Sequence, residues 1–320
     1  MNHFTYIDTV GIQVDLETPE EQREILEKLL QYTHSFKRFY VESKKHPLTQ
    51  TNKWFHCVYA RNRTIATINN GVFRSGSPLT GGYQMKYYVT IKFAGLKTYD
   101  QFQDELSQAY LLQVCALLNT MAKPFKLIEL DVCIDAFCPF DHILAICTKK
   151  SPKTAYYRLT DRQAFSTTTY IEKIDKTKLN QAVLRGYAYD KSYKEQLPFP
   201  VTRFEIKLQA KYFRKYGFSI EAISKAFNRY HVLYFADIAD KQRVVEKYNA
   251  YKSIKRREII RLGIDHYRLH PNMDNISAFL NTMLTIHNTD PLWISDALCC
   301  HRGKASNEQY FGNIIQVTLP

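Results

Sequence analysis

The stretch Lys126-Leu127-Ile128-Glu129-Leu130-Asp131-Val132-Cys133-Ile134-Asp135-Ala136-Phe137 decides the fold. Successive side chains of a strand point to opposite faces, so Leu130, Val132, Ile134 and Ala136 fall on one side and Glu129, Asp131, Cys133 and Asp135 on the other. Two later stretches divide in the same way. Across 182–191, Leu184, Gly186 and Ala188 oppose Arg185, Tyr187, Tyr189 and Lys191. Across 201–209, Phe204, Ile206 and Leu208 oppose Arg203, Glu205 and Lys207. Three strands that are each apolar on one side call for helices on that side and leave acids, bases and tyrosines on the other.

Outward from these strands, residues 1–16 form another, in which Val10, Ile12, Val14 and Leu16 alternate with Gln13 and Asp15. Thr18-Pro19-Glu20-Glu21 supplies an N-cap, a proline in the first turn and a capping-box glutamate for a helix carrying Ile25, Leu26, Leu29 and Leu30. Trp54 to Thr67 reads as one strand followed by the turn signal Asn69-Asn70-Gly71. Tyr83 to Phe93 reads as a strand with Tyr83, Met85, Tyr87, Val89, Ile91 and Phe93 on one face. Gly95 ends it, and Thr98-Tyr99-Asp100-Gln101 opens a helix to Met121. A short helix near Asp141 and a hairpin over 156–170 come next. The segments Gly11–Leu16 and Asp131–Ala136 are alike, each a strand ending near an aspartate and followed by a proline and a helix start.

The predicted class is therefore α+β: an antiparallel sheet core of two tandem RRM-like units, 1–122 and 123–210, with helices on one face. From Ser219 onward the pattern is helical, with helices over 237–262, 274–287 and 290–300. A sheet domain of residues 1–210 thus precedes a basic helical region, 211–320.

The chain has 320 residues, of which 44 are Lys or Arg and 31 Asp or Glu, giving a net charge of +13 and a pI near 9.2. Such an excess favours a polyanionic partner, nucleic acid first. Between Arg203 and Arg268, 16 basic residues face 7 acidic ones, a net +9. No run of about 18 apolar residues occurs, and Met1–Asp8 has no basic stretch leading into an apolar one, so a soluble, cytoplasmic protein with no membrane partner is expected. The seven cysteines form no C-x-x-C pair and read as reduced, mostly buried thiols. Cys299-Cys300-His301, with His287, is poor geometry for tetrahedral zinc, and no zinc is expected. Nucleotide-binding and protease readings find no G-x-x-x-x-G-K-[ST], G-x-S-x-G or H-E-x-x-H to stand on.

The polar face of the three strands carries the chemistry. Asp131, Asp135 and Glu205, among tyrosines and bases, suit a hard divalent cation such as Mg²⁺ or Mn²⁺. Beside it a phosphate is polarised and a tyrosine hydroxyl can attack. Arg185, Lys191 or Arg203 could stabilise the added charge or lower the phenol pKa. A half-solvated sheet with cross-strand ion pairs would show the same alternation. Acids two residues apart on one strand, with no base among them, repel unless a cation stands between them, and that favours the site.

Leu130-Asp131-Val132-Cys133-Ile134-Asp135, Arg185-Gly186-Tyr187-Ala188-Tyr189-Asp190-Lys191 and Arg203-Phe204-Glu205-Ile206-Lys207-Leu208 together resemble the Rep_trans group of rolling-circle replication initiators, which includes relaxases of mobile elements. Its members carry an apolar strand with D-x-x-x-D, a strand ending in Y-D-K or Y-x-K, and a later R-x-E-(I/L)-x-(L/F) strand. Leu130 stands where many members have arginine, and no Gly-Ser-Arg follows Tyr170. The resemblance implies Rep-like units and an enzyme of plasmid, phage or integrative-element type. It implies a homodimer that nicks one DNA strand at an extruded origin hairpin, keeps the 5′ phosphate on a tyrosine and leaves a 3′ hydroxyl, with a host helicase to follow. The attacking residue would be Tyr189, with Tyr187 and Tyr193 as further candidates. Asp131, Asp135 and Glu205 would hold the metal, and Lys191 and Arg203 would contact phosphate.

The other common nicking architecture needs His-x-His on a strand, which none of the ten histidines forms. Arg185 and Lys207 on the polar face, and Lys252, Lys255, Arg256, Arg257 and Arg261 on one expected helix, are the DNA-binding candidates. A relaxase or transposase-like tyrosine nickase of a mobile element would use the same residues. A regulator that binds DNA with this fold and lacks catalysis is the third reading.

Overall fold

Two long strands, β1 (His3–Leu16) and β6 (Phe125–Ala136), lie antiparallel at the centre of a ten-stranded sheet. The computed structural model describes residues 1–45, 54–60, 63–77, 82–96, 101–147, 157–161, 166–171, 184–250 and 263–286. On the β1 side run β5 (Gly82–Phe93), β4 (Arg63–Ser77), β3 (Trp54–Ala60) and the edge strand β2 (Phe39–Lys45). On the β6 side run β11 (Thr202–Gln209), β10 (Leu184–Asp190), β9 (Ser166–Tyr170) and the edge strand β8 (Tyr157–Asp161). All the pairings are antiparallel. Five strands drawn from residues 1–122 and five from 123–210 thus share one sheet, in the same internal order.

One face of that sheet is apolar and carries most of the helices. Val10, Ile12 and Val14 of β1, Val89, Ile91 and Phe93 of β5, Val132 and Ile134 of β6, and Phe204, Ile206 and Leu208 of β11 form one buried cluster. Helix α1 (Pro19–His34) adds Ile25 and Leu29, and α2 (Gln101–Thr120) adds Tyr110, Leu111, Val114 and Leu118. The Thr18 hydroxyl caps α1 by accepting from the Glu21 amide at 3.1 Å, as the sequence predicts.

Beyond the short helix α3 (Lys191–Glu195) and β11, α4 (Ala210–Tyr216), α5 (Ile220–Phe227) and α7 (Asp274–Ile286) pack on the same apolar face, and α7 lies against β1. No helix among the described residues is long and apolar enough to cross a membrane.

Three local expectations are corrected. The segment 54–67 is two strands rather than one, with the chain reversing between Ala60 and Arg63, and Asn69-Asn70-Gly71 lies inside β4 instead of making a turn. Gly71 sits opposite Tyr88, and a Cβ there would fall 2.2 Å from the Tyr88 hydroxyl, so close side-chain approach is what needs the glycine. Near Asp141 only a 3₁₀ turn forms, Phe140–His142, before strand β7 (Ile143–Cys147). The helical pattern after Ser219 is interrupted by β12 (Tyr230–Tyr234), which pairs with β7. These two strands turn Leu144, Ile146 and Leu233 onto a second cluster with α6 (Ile238–Ala250), so short buried apolar runs here become strand rather than helix. The expected helical segments over 251–262 and 287–300 lie outside the described residues.

Candidate active site

Strand register arranges the opposite face in three rows. Asp135, Arg203 and Tyr189 stand side by side on β6, β11 and β10. Cys133, Glu205 and Tyr187 form the next row, and Asp131, Lys207 and Arg185 the third. This face is not solvated: Asp131, Asp135, Arg203, Glu205 and Lys191 are all buried. Part of the cover is α3, which starts directly after β10 with the Asp190 carboxylate as its N-cap. Lys191 points back into the face, Lys194 lies 4.7 Å from the centre of the Tyr189 ring, and Glu195 reaches Arg63 of β4 at 3.7 Å.

Strand β1 completes the face from the other side of β6. Tyr6 lies opposite Cys133, and the register slips by one residue between the Ile7–Val132 and Thr9–Asp131 pairs, leaving Asp8 as a bulge. Bulges re-aim side chains, and this one brings the Asp8 carboxylate to Arg203.

The first row is an ion-pair network. Arg203 donates from Nε to Asp135 Oδ1 at 2.7 Å, from Nη2 to Asp135 Oδ2 at 2.9 Å and from Nη1 to Asp8 Oδ1 at 2.6 Å. Asp135 Oδ2 also accepts from Lys191 Nζ at 3.4 Å and from the Tyr6 hydroxyl, and Lys191 pairs with Glu195 at 3.4 Å. Burial works against the charge on Arg203, yet Asp135 and Asp8 hold its pKa above the ordinary value. Both oxygens of Asp135 are therefore committed to cations.

Glu205 of the second row accepts from two hydroxyls, from Tyr187 of its own row at Oε1 and from Tyr189 of the first row at Oε2, 3.2 Å away. Their rings stack with centres 6.2 Å apart. Burial raises both phenol pKa values, and the Glu205 charge adds to the rise; at Tyr189 the neighbouring Arg203 opposes it. In the third row Lys207 pairs with Asp131 Oδ2 at 3.3 Å and with Glu129, which Lys92 also reaches. Burial and the nearby Glu205 carboxylate push the Asp131 pKa well up, and its Oδ1 has no hydrogen-bond partner among the described residues.

Of the residues singled out from sequence, the face brings together Tyr187, Tyr189, Lys191, Arg203, Asp131, Asp135, Glu205, Arg185 and Lys207. Tyr193 stands apart on α3, 52% exposed, its amide donating to the Asp190 carboxylate at 2.9 Å. Lys252, Lys255, Arg256, Arg257 and Arg261 lie outside the described residues.

Four members of the face were not anticipated as site residues: Tyr6, Asp8, Cys133 and Glu195. Tyr6 and Asp8 share a strand face by alternation, a signal available in sequence, but which strand lies beside β6 is a matter of topology. Burial raises the Glu195 carboxyl to about 7, with Arg63 opposing the rise.

Side chains able to hold a cation group differently from the three-carboxylate expectation. Ligand atoms of Asp8, Cys133 and Glu205 lie within 4.8 Å of one another. Two carboxylates in mutual reach, with the unsatisfied Asp131 oxygen on the same face, fit a divalent ion.

Neither a protein-family model nor a curated protein matches the sequence. Among solved structures, the chain is similar to a rolling circle replication initiator protein from Geobacillus stearothermophilus. The match has 12% identity and a TM-score of 0.37, over 82% of this chain and 96% of that one.

Proposed function

We propose that the chain is a tyrosine nickase that cleaves one DNA strand at an origin to start rolling-circle replication. The observation that carries the proposal is the pair of phenols donating to one buried carboxylate, Glu205, beside the buried cations Arg203 and Lys191. In the reaction the Tyr189 oxygen attacks the scissile phosphorus and its proton passes to Glu205, which already accepts that hydrogen bond. The bond from phosphorus to the 3′ oxygen breaks, and that oxygen leaves as a hydroxyl after taking a proton from solvent water, while Glu205 returns its proton to solvent. The 5′ phosphate stays on the tyrosine.

Arg203 and Lys191 supply fixed positive charge next to the developing negative charge, where low dielectric strengthens it. Arg185 and Lys207 extend that field along the face toward the flanking phosphates, and the basic segment 252–261 adds duplex contacts. Asp8 and Glu205, with Asp131 alongside, would hold Mg²⁺ or Mn²⁺, which when bound polarises the phosphate oxygens. An origin hairpin as substrate, a homodimer and a host helicase belong to the same proposal and follow the motif resemblance.

The test is cleavage of single-stranded and hairpin oligonucleotides from the protein's own locus with Mn²⁺, comparing wild type with Tyr189→Phe, Tyr187→Phe and Tyr193→Phe. A covalent protein–DNA adduct lost only in Tyr189→Phe is expected. Loss in Tyr187→Phe or Tyr193→Phe instead would move the nucleophile. No adduct with any substrate, together with tight duplex binding, would leave a non-catalytic DNA-binding protein.

A further inference from the structure

Cys133 takes no part in the chemistry above, although it occupies the centre of the face. It is fully buried, with Glu205 opposite on β11 and Tyr6 opposite on β1. Its sulfur and one oxygen each of Asp8 and Glu205 lie within 4.8 Å of one another. The other described thiols, Cys57, Cys115, Cys138 and Cys147, are buried and belong to no such group among the described residues. A second observation lies beside this group. Asp131, two residues along the same strand face and 3% exposed, keeps Oδ1 without a hydrogen-bond partner among the described residues. A buried carboxylate oxygen left unsatisfied beside other acids is costly unless a cation or water meets it.

We propose that Cys133 is a metal ligand, acting with Asp8 and Glu205, and that the site takes a thiolate-tolerant divalent ion such as Co²⁺ or Zn²⁺ in preference to Mg²⁺. The proposal rests on the metal-dependent nickase above and names the kind of ion that site selects. Mg²⁺ demands near-octahedral oxygen coordination, and a sulfur in the set costs it a ligand. Later first-row ions accept mixed sulfur and oxygen donors. Binding breaks the S–H bond, forms a sulfur–metal bond and releases one proton to solvent. Three anionic ligands around a divalent ion leave one excess negative charge, which Arg203, bonded to Asp8 at 2.6 Å, offsets.

The experiment titrates the metal-free full chain with Co²⁺ in the absence of DNA and follows the near-ultraviolet thiolate-to-cobalt charge-transfer band. A saturable band is expected in wild type and in Cys138→Ser, and none in Cys133→Ser. Zn²⁺ should displace the cobalt at far lower concentration than Mg²⁺, and Cys133→Ser should weaken Zn²⁺ binding by about tenfold or more.

Cobalt bound to wild type without the band, no cobalt bound at all, or a band that survives Cys133→Ser would each overturn the assignment. The first two are read on wild type, so a poorly folding variant cannot obscure them. A band without DNA cleavage would sink the nickase and keep the thiolate ligand; Mn²⁺-supported cleavage without a band would do the reverse.

Discussion

Asp135→Asn removes one negative charge from between two buried cations while keeping the side chain's shape. In the folded protein that carboxylate meets Arg203 at 2.7 and 2.9 Å and Lys191 at 3.4 Å, and neither cation is more than 2% exposed. Removing one partner of a buried ion pair costs about 3–5 kcal/mol, because the remaining charge stays desolvated. Arg203 keeps Asp8 and Lys191 keeps Glu195, which places the expected loss at the low end, about 3 kcal/mol. At about 2–4 °C per kcal/mol, the melting temperature should fall by about 6–12 °C. In urea the midpoint should drop with no change in slope.

A double-mutant cycle with Lys191→Met isolates the pair, and a coupling of about 1 kcal/mol or more is expected. A loss below about 1 kcal/mol in Asp135→Asn, or strict additivity in the cycle, would refute the counter-ion role. The Asp135 carboxylate would then be free to serve a metal ion, as the three-carboxylate reading has it.

Other outcomes are equally specific. Gly186→Ala places a Cβ 2.7 Å from the buried Tyr230 ring, so overpacking should cost about 1–3 kcal/mol in denaturant unfolding. Thr18→Ala removes the cap of α1 and should cost about 1 kcal/mol by the same measurement. Burial, with Arg268 and His270 adding to it and Asp265 opposing, lowers the His231 pKa to about 4. The unfolded chain therefore binds the extra proton first, so stability from this residue is full above pH 6.5 and lost as pH falls toward 4. Against His231→Gln, wild type should lose at most about 3 kcal/mol over that range; parallel pH profiles of the two would count against a buried neutral imidazole.

Period-two alternation made β6, β10 and β11 legible, and with them the side chains that share the charged face. The likeness of Gly11–Leu16 to Asp131–Ala136 foreshadowed two strand sets in one sheet. What the sequence did not disclose is how charges would be used. Asp135 reads as a metal ligand from its strand alone, and its contacts with Arg203 and Lys191, the arginine 68 residues away, are long-range pairings that no local pattern carries. Asp8 was hidden because its alternation with Tyr6 gains meaning only once β1 is known to lie beside β6. Asn69-Asn70-Gly71 misled because a glycine needed beneath a tyrosine ring looks the same as one needed for a turn. β12 was hidden among helices because a five-residue buried run carries no periodicity that separates the two.

Strand order is the same on either side of the β1–β6 pair, and matching Gly11–Leu16 to Asp131–Ala136 gives several charged-face residues a counterpart through strand register. Asp15 answers to Asp135, Tyr88 to Arg203, Thr90 to Glu205 and Gly71 to Tyr189. Where the second half has an arginine the first has a phenol, and that phenol lies over the glycine that stands in for Tyr189. The two halves thus repeat one strand order with different side chains on the charged face. The first half lends Tyr6 and Asp8 to the second. Among the described residues the charged face of β6, β10 and β11 is therefore assembled across the seam, since its central ion pairs draw on both halves.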